Sequence, residues 1–260
     1  KCKFGMDQVE YVGYVIDKSG IYFSKEKITD FLNFPRPANI KLLRTFIGMA
    51  KYFSNHVPDM SNMMKPLHRM VQNFEQKKEQ FLWNAVELES YEEIRNRIRD
   101  HKKLHFYESS NGHLHIHTDA SDYGIGSYIF QRLENIPSVE TALSYYSKLL
   151  SAQEQRWTTY EKECYAIIVS FNHFDYLLRE IPFTLHTDHR NLTFLKTTNS
   201  QKVLRWKLEI QNYNFDFKHI EGSANLVADA LSRLGFDEPS SETGPLLAVN
   251  TAQDPHGPIA

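Results

Sequence analysis

The chain has 260 residues, 41% of them apolar, with 17 Phe and 14 Tyr, enough for one large or two small cored domains and too much for wholesale disorder. A net charge of −2 excludes a uniformly basic nucleic-acid coat but leaves room for a local basic groove. Cys2 and Cys164 form no C-x-x-C pair, which excludes a cysteine zinc finger and suits a reducing compartment. No apolar run is long enough to span a membrane and no signal-peptide layout opens the chain. A soluble, intracellular setting is expected, and Lys1 in place of Met reads as a piece of a longer polypeptide.

VEYVGYVIDKSGIYF (9–23) alternates apolar residues around a DKSG turn and reads as a β-hairpin. Ser24 is a plausible N-cap for the helix KEKITDFLNF, which must stop at Pro35-Arg36-Pro37. NIKLLRTFIGMAKYFSNHV places Leu43, Phe46, Ile47, Ala50 and Phe53 at helical spacing and should end near Pro58. MSNMMKPLHRMVQ adds a short helix, FEQKKEQFLWN a charged connector and AVELESYEEIRNRI an amphipathic helix. The first 110 residues thus read as a small helical module behind one hairpin, with no obvious catalytic cluster.

From about residue 112 the texture changes. HLHIHTDAS, GIGSYIFQ and TALSYYS read as strands, WTTYEKECYAIIVSFNHFDYLL as a long helix and FTLHTD as a fourth strand. HRNLTFLKT and SQKVLRWKLEIQ are helical, YNFDFKHI is a fifth strand and SANLVADALSRL a closing helix. This order predicts an α/β (α+β) domain, a mixed five-stranded sheet flanked by helices. A polar tail from 236 to 260 reads as a flexible segment.

The stretch HLHIHTD poses a choice between a metal-binding histidine ladder and its terminal aspartate. In a strand His113, His115, His117 and Asp119 share one face, while Leu114 and Ile116 anchor the other. Three such histidines could hold zinc only with a suitable bend; the simpler expectation is polar residues on the less buried face of an amphipathic strand. His186-Thr187-Asp188 repeats the ending of the first strand. If the two strands are parallel neighbours, about 4.8 Å apart, Asp119 and Asp188 emerge together at the sheet's carboxyl edge, where open α/β sheets bind ligands. Two close carboxylates repel unless a hard cation lies between them, and oxygen ligands suit Mg²⁺ or Mn²⁺. Further acidic candidates are Glu161 or Glu163, early in the long helix, and Asp229 in the last one. Periodicity does not choose between the two glutamates, which flank the Tyr160–Cys164–Ile167–Ile168–Phe171 stripe about equally.

TDASDYGIG, YYSKLLSAQEQRWTTYEKECYAI, LHTDHRNLTFL, RWKLEIQNYNFDFKHI and EGSANLVADALSRL, in this order, resemble the RNase H domain of gypsy-type LTR retrotransposon Pol polyproteins. YVGYVIDKSGIYFSKEKI is similar to the primer-grip hairpin leading into the thumb of the same reverse transcriptases, and FPRPANIKLLRTFIGMAKYFSNHVPDMSNMMKPLHRM to their thumb and connecting segment. The resemblance implies primer grip and thumb over 1–74, a connector over 75–111 and an RNase H-like domain over 112–235. It implies a nuclease cutting the RNA strand of RNA/DNA hybrids with two Mg²⁺ ions, Mn²⁺ being a substitute. The family pattern matches Asp119, Glu163, Asp188 and Asp229 to its acidic ligands, Glu163 because the ligand stands just before the Cys164-Tyr165-Ala166-Ile167 run. His219 falls where some RNase H proteins carry a histidine that assists product release, and it could equally just end its strand.

Hybrid-binding candidates are His189, Arg190, Lys202, Arg205, Trp206 and Lys207. Trp206 could stack on a base or pack its own helix, among Leu204, Leu208 and Ile210. Lys41, Arg44 and Lys51 line either a duplex path or an ordinary solvated helix face. The resemblance also implies partners in the rest of a Pol polyprotein, the polymerase palm and integrase, and a cytoplasmic retrotransposon particle. No Tyr-x-Asp-Asp turn occurs, so DNA synthesis is not expected of this chain alone. The rival functions are a catalytically weak or inactive fragment that binds nucleic acid or aids assembly, and a zinc protein built on the ladder.

Overall fold

The computed structural model describes residues 4–78, 80–110, 112–134, 139–188 and 200–220. The expected N-terminal hairpin is one part of a four-stranded antiparallel sheet, β1 (Gln8–Tyr11), β2 (Tyr14–Asp17), β3 (Gly20–Phe23) and β4 (Leu104–His105), in that order. The DKSG turn joins β2 to β3, and the Asp17 carboxylate accepts from the backbone N–H groups of Ser19 and Gly20 at 2.8 and 3.1 Å. A second tight turn, at Val12 and Gly13, joins β1 to β2 with both residues at positive φ, 50° and 81°. Such two-residue turns match strand twist but usually carry Asn or Gly first, so the valine hid it. β4 approaches β3 so closely that a Cβ on Gly20 would lie 2.0 Å from the Leu104 carbonyl oxygen; only glycine fits.

Five helices follow the sheet's first three strands: α1 (Lys25–Leu32), α2 (Ile40–Lys51), α3 (Met60–Met63), α4 (Lys65–Gln76) and α5 (Ala85–Arg99). The Ser24 hydroxyl accepts from the Lys27 N–H, and the Asn39 side chain caps α2 through the Leu42 N–H. α2 is shorter than the apolar spacing suggests, because beyond Lys51 the bonds tighten to Phe53 N–H on Ala50 and Ser54 N–H on Lys51. Phe53 still enters the core. That core collects Phe31, Leu43, Phe46, Met60, Leu67, Tyr91, Ile94 and Ile98, so α5 packs with the helices before it.

The second sheet contains β5 (Gly112–Ala120), β6 (Gly124–Leu133), β7 (Glu140–Leu149), β8 (Phe183–Thr187) and β9 (Phe215–His219). Its order is β7-β6-β5-β8-β9. β5, β6 and β7 pair antiparallel, and β8 pairs parallel with both β5 and β9. The sheet is therefore mixed, as its element order predicts. α6 (Thr159–His173) and α8 (Gln201–Ile210) flank it. The expected long helix breaks at Phe174, and a short α7 (Asp175–Leu178) continues it. Leu114, Ile116, Phe183 and Leu185 meet Ile167, Phe171, Val203 and Ile210 in the core.

The outer edge of β7 would present unpaired backbone groups, but the N-terminal module covers it. Tyr145 N–H donates to the Asn55 carbonyl at 3.2 Å. Ser61 donates its N–H to the Ser147 hydroxyl at 3.1 Å and its hydroxyl to the Ser147 carbonyl at 2.7 Å. The expected helices over 189–197 and 223–234 and the tail lie outside the described residues.

Candidate metal centre

Parallel pairing of β5 with β8 places His117 opposite His186. Two residues further, at the carboxyl ends of adjacent strands, come Asp119 and Asp188. α6 brings the third acid. Its N-terminus is fixed by a capping box in which Thr158 and Glu161 exchange bonds, Glu161 N–H to the Thr158 hydroxyl at 3.2 Å and Thr158 N–H to the Glu161 carboxylate at 3.1 Å. Glu163, two residues on, then faces the strand ends. Carboxylate oxygens of Asp119, Glu163 and Asp188 all lie within 4.8 Å of one another.

Asp119 is 1% exposed and Glu163 4%, while Asp188 is half-buried. Removing carboxylates from water beside one another is costly without a compensating cation. An all-oxygen donor set of this kind fits a hard ion such as Mg²⁺ or Mn²⁺ and is a poor match for a thiophilic one. The backbone around Asp188 is held as well: His219 donates from Nε2 to the Asp188 carbonyl at 3.0 Å, and Ile220 N–H donates to the Thr187 carbonyl at 3.1 Å. Local sequence pattern carries no sign of this contact, because β9 meets β8 only through parallel pairing.

A profile of the RNase H-like domain found in reverse transcriptase matches residues 109–213. Those residues are an RNase H-like domain. The chain is also 32% identical over 240 residues to the Tf2-3 and Tf2-4 transposon polyproteins of Schizosaccharomyces pombe. That similarity covers 90% of this chain but 18% of each relative, so the chain spans less than a fifth of their length. Among solved structures, the foamy viral protease-reverse transcriptase in complex with dsDNA superposes with a TM-score of 0.67 at 17% identity, over 84% of this chain and 45% of that one. The same viral protein in complex with RNA/DNA hybrid gives 0.66 at 16% identity, over 95% and 32%. These likenesses establish a shared fold, and it extends beyond the RNase H-like domain into the helical module.

Within the RNase H-like domain the two candidate glutamates have different surroundings. Glu161 closes the capping box, pairs with Lys202 at 3.0 Å and accepts from the Ser200 hydroxyl at 3.3 Å; Glu163 is the one gathered with the aspartates. Asp229, His189 and Arg190 lie outside the described residues.

The histidines are not on a less buried face. His115 and His117 are 9% and 8% exposed, because β5 is the central strand and is covered on both sides. His115 stacks on Phe130 and meets His186, Nδ1 to Nε2 at 2.9 Å, and His117 packs on His186 with ring centroids 4.5 Å apart. Burial, followed by the charge of Arg132, pushes His115 down to about 3 and His117 to about 4. Burial and the two neighbouring rings push His186 to about 2. His113 is exposed and bonds the Thr184 hydroxyl at 3.1 Å. Among the described residues the His113–His115–His117 ladder does not converge as a metal-binding group; His115, His117 and His186 are neutral packing groups.

Of the hybrid-binding candidates on α8, Lys202 is engaged inside the fold. Besides Glu161 it lies over the Trp157 ring at 3.7 Å. Trp206 is half-buried and packs against Trp157 and Tyr165, at 5.5 and 5.3 Å between centroids. Arg205 is exposed and Lys207 half-buried. In the helical module Arg44 pairs with Glu75, while Lys41 and Lys51 are exposed.

Proposed function

We propose that this chain is an RNase H endonuclease that hydrolyses the RNA strand of RNA/DNA hybrids with Mg²⁺, as part of a longer retrotransposon Pol polyprotein. The observation that carries the proposal is the convergence of Asp119, Glu163 and Asp188 within 4.8 Å at the ends of two parallel strands. Asp229 is the fourth ligand in this reading, on the strength of the ADALSR segment. The relatives' description as transposon polyproteins and the hybrid bound to a reverse transcriptase of the same fold support the substrate class.

Mg²⁺ bound by these carboxylates would activate water and stabilise the leaving oxygen of a phosphodiester. The protein's own part is to hold Asp119, Glu163 and Asp188 in a fixed constellation. The sheet fixes the two aspartates, the capped helix fixes Glu163, and His219 steadies the main chain of Asp188. His219 is thereby a positioning residue. Arg205 and Lys207, with His189 and Arg190, meet the phosphates of the hybrid, whose shape and 2′-hydroxyls mark the strand to be cut. Trp206 serves packing.

The test is cleavage of a hybrid with labelled RNA in Mg²⁺, comparing this chain with Asp188→Asn. Metal-dependent cutting that the substitution abolishes is the expected result. Absence of cutting by the unchanged chain, with hybrid binding intact, overturns the nuclease and leaves a nucleic-acid-binding module.

A further inference from the structure

Lys162 immediately precedes Glu163 on α6, and its side chain is only 5% exposed. Its Nζ donates to the Asp122 carboxylate at 2.6 Å, and the Asp122 side chain is 78% exposed. Asp122 belongs to the turn between β5 and β6, three residues after Asp119. Two consecutive residues of α6 therefore address the end of β5 and the turn that follows it: Glu163 meets Asp119, and Lys162 meets Asp122.

The turn is stiff on its other sides. The Ser121 hydroxyl accepts from the N–H groups of Tyr123 and Gly124 at 3.2 and 3.0 Å. Leu150 N–H donates to the Tyr123 carbonyl at 2.8 Å, and Lys65 of the helical module lies 5.1 Å from the Tyr123 ring centroid. With the turn so braced, the link to α6 ties the start of the helix to the strand end.

We propose that Lys162 and Asp122 form a positioning pair that holds Asp119 and Glu163 at metal-binding separation before a divalent cation arrives. The proposal rests on the nuclease reading of the acidic site. When ionised, Asp119 and Glu163 are like charges that push β5 and α6 apart, whereas Lys162 and Asp122 are opposite charges that draw the same two elements together. A lysine stem buried at this depth is disfavoured unless its ammonium is paired, and an ordinary surface ion pair would leave both ends in water. Pre-setting the ligands in this way is how outer partners raise metal affinity.

The experiment uses the whole chain and three readouts: Mn²⁺ binding without substrate, followed by electron paramagnetic resonance; hybrid cleavage against Mg²⁺ concentration; and Tm. Lys162→Met should raise the half-saturating metal concentration about tenfold in both metal assays, with cleavage at saturating metal within about threefold of the unchanged chain. Asp122→Asn, altered at the exposed end, should move it in the same direction. The double variant should be no worse than the worse single one, because partners in one interaction are not additive, and Lys162→Arg should recover most of the affinity. A lowered Tm with unchanged metal half-saturation in Lys162→Met and Asp122→Asn overturns the positioning role and leaves the nuclease reading intact. If Lys162→Met does not fold, Asp122→Asn alone decides. Failure of the unchanged chain to bind Mn²⁺ or to cut overturns both.

Discussion

In the N-terminal module one carboxyl is buried by itself. Asp59 is 9% exposed, accepts from the Asn62 amide at 2.6 Å, and is pushed up to about 8 by burial. It resolves its desolvation by keeping a proton at neutral pH. The RNase H-like domain buries Asp119 and Glu163 at least as deeply and sets Asp188 beside them. Depth of burial is thus common to both regions. Convergence is what separates them: a lone acid can be neutralised by a proton, whereas three acids at one point make a site for a cation.

The two cores should respond alike to truncation. Phe46 in the helical module and Phe171 in the RNase H-like domain are both fully buried. Replacing either with Ala should cost about 3–5 kcal/mol, read by denaturant unfolding. Phe46→Ala should leave metal binding intact at temperatures where the chain stays folded. If it abolishes Mn²⁺ binding in a folded protein, the two regions cannot be treated as separate in function.

The glutamates test convergence directly. Glu163→Gln should lower hybrid cleavage at least about 100-fold, equivalent to about 2.7 kcal/mol, without lowering Tm, since it relieves like-charge crowding. Glu161→Ala should leave cleavage within a few-fold while costing about 1 kcal/mol of stability through the capping box. The opposite pattern would transfer the ligand role to Glu161.

Acid sensitivity tests the helical module. His56 packs on Phe23 with ring centroids 4.4 Å apart, and burial, then the nearby His101, pushes it down to about 4. A histidine depressed in the folded state contributes stability that is present above its ordinary range and lost as pH falls through the folded value. Between pH 8 and pH 5 the loss from this residue should be about 2 kcal/mol. His56→Phe should remove that part of the pH dependence in urea titrations; an unchanged slope would show that His56 is not the titrating group. The smallest effect is expected at the junction, where Ser147→Ala removes the acceptor for Ser61 N–H and should cost about 1 kcal/mol.

Much of this was legible in the sequence, for identifiable reasons. The repeated His-Thr-Asp endings marked two strands, and their parallel pairing brings the acids together as that repeat suggested. Glu163 could not be told from Glu161 by periodicity, because both flank the same apolar stripe; the family pattern supplied the choice. β4 was invisible, being two residues long and paired with a strand far away in sequence. The buried character of His115 and His117 was also hidden, since alternation reports one covered face and a central strand has two. Nothing in the sequence singles out Lys162, and only the approach of the Asp122 turn gives it a partner.

The most direct measurement is the anomalous scattering of Mn²⁺ in crystals of this chain. A peak is expected within coordination distance of the Asp119, Glu163 and Asp188 carboxylates, lost in Asp119→Asn. A peak at His115, His117 and His186 instead, or none near the acids at saturating Mn²⁺, would contradict that expectation.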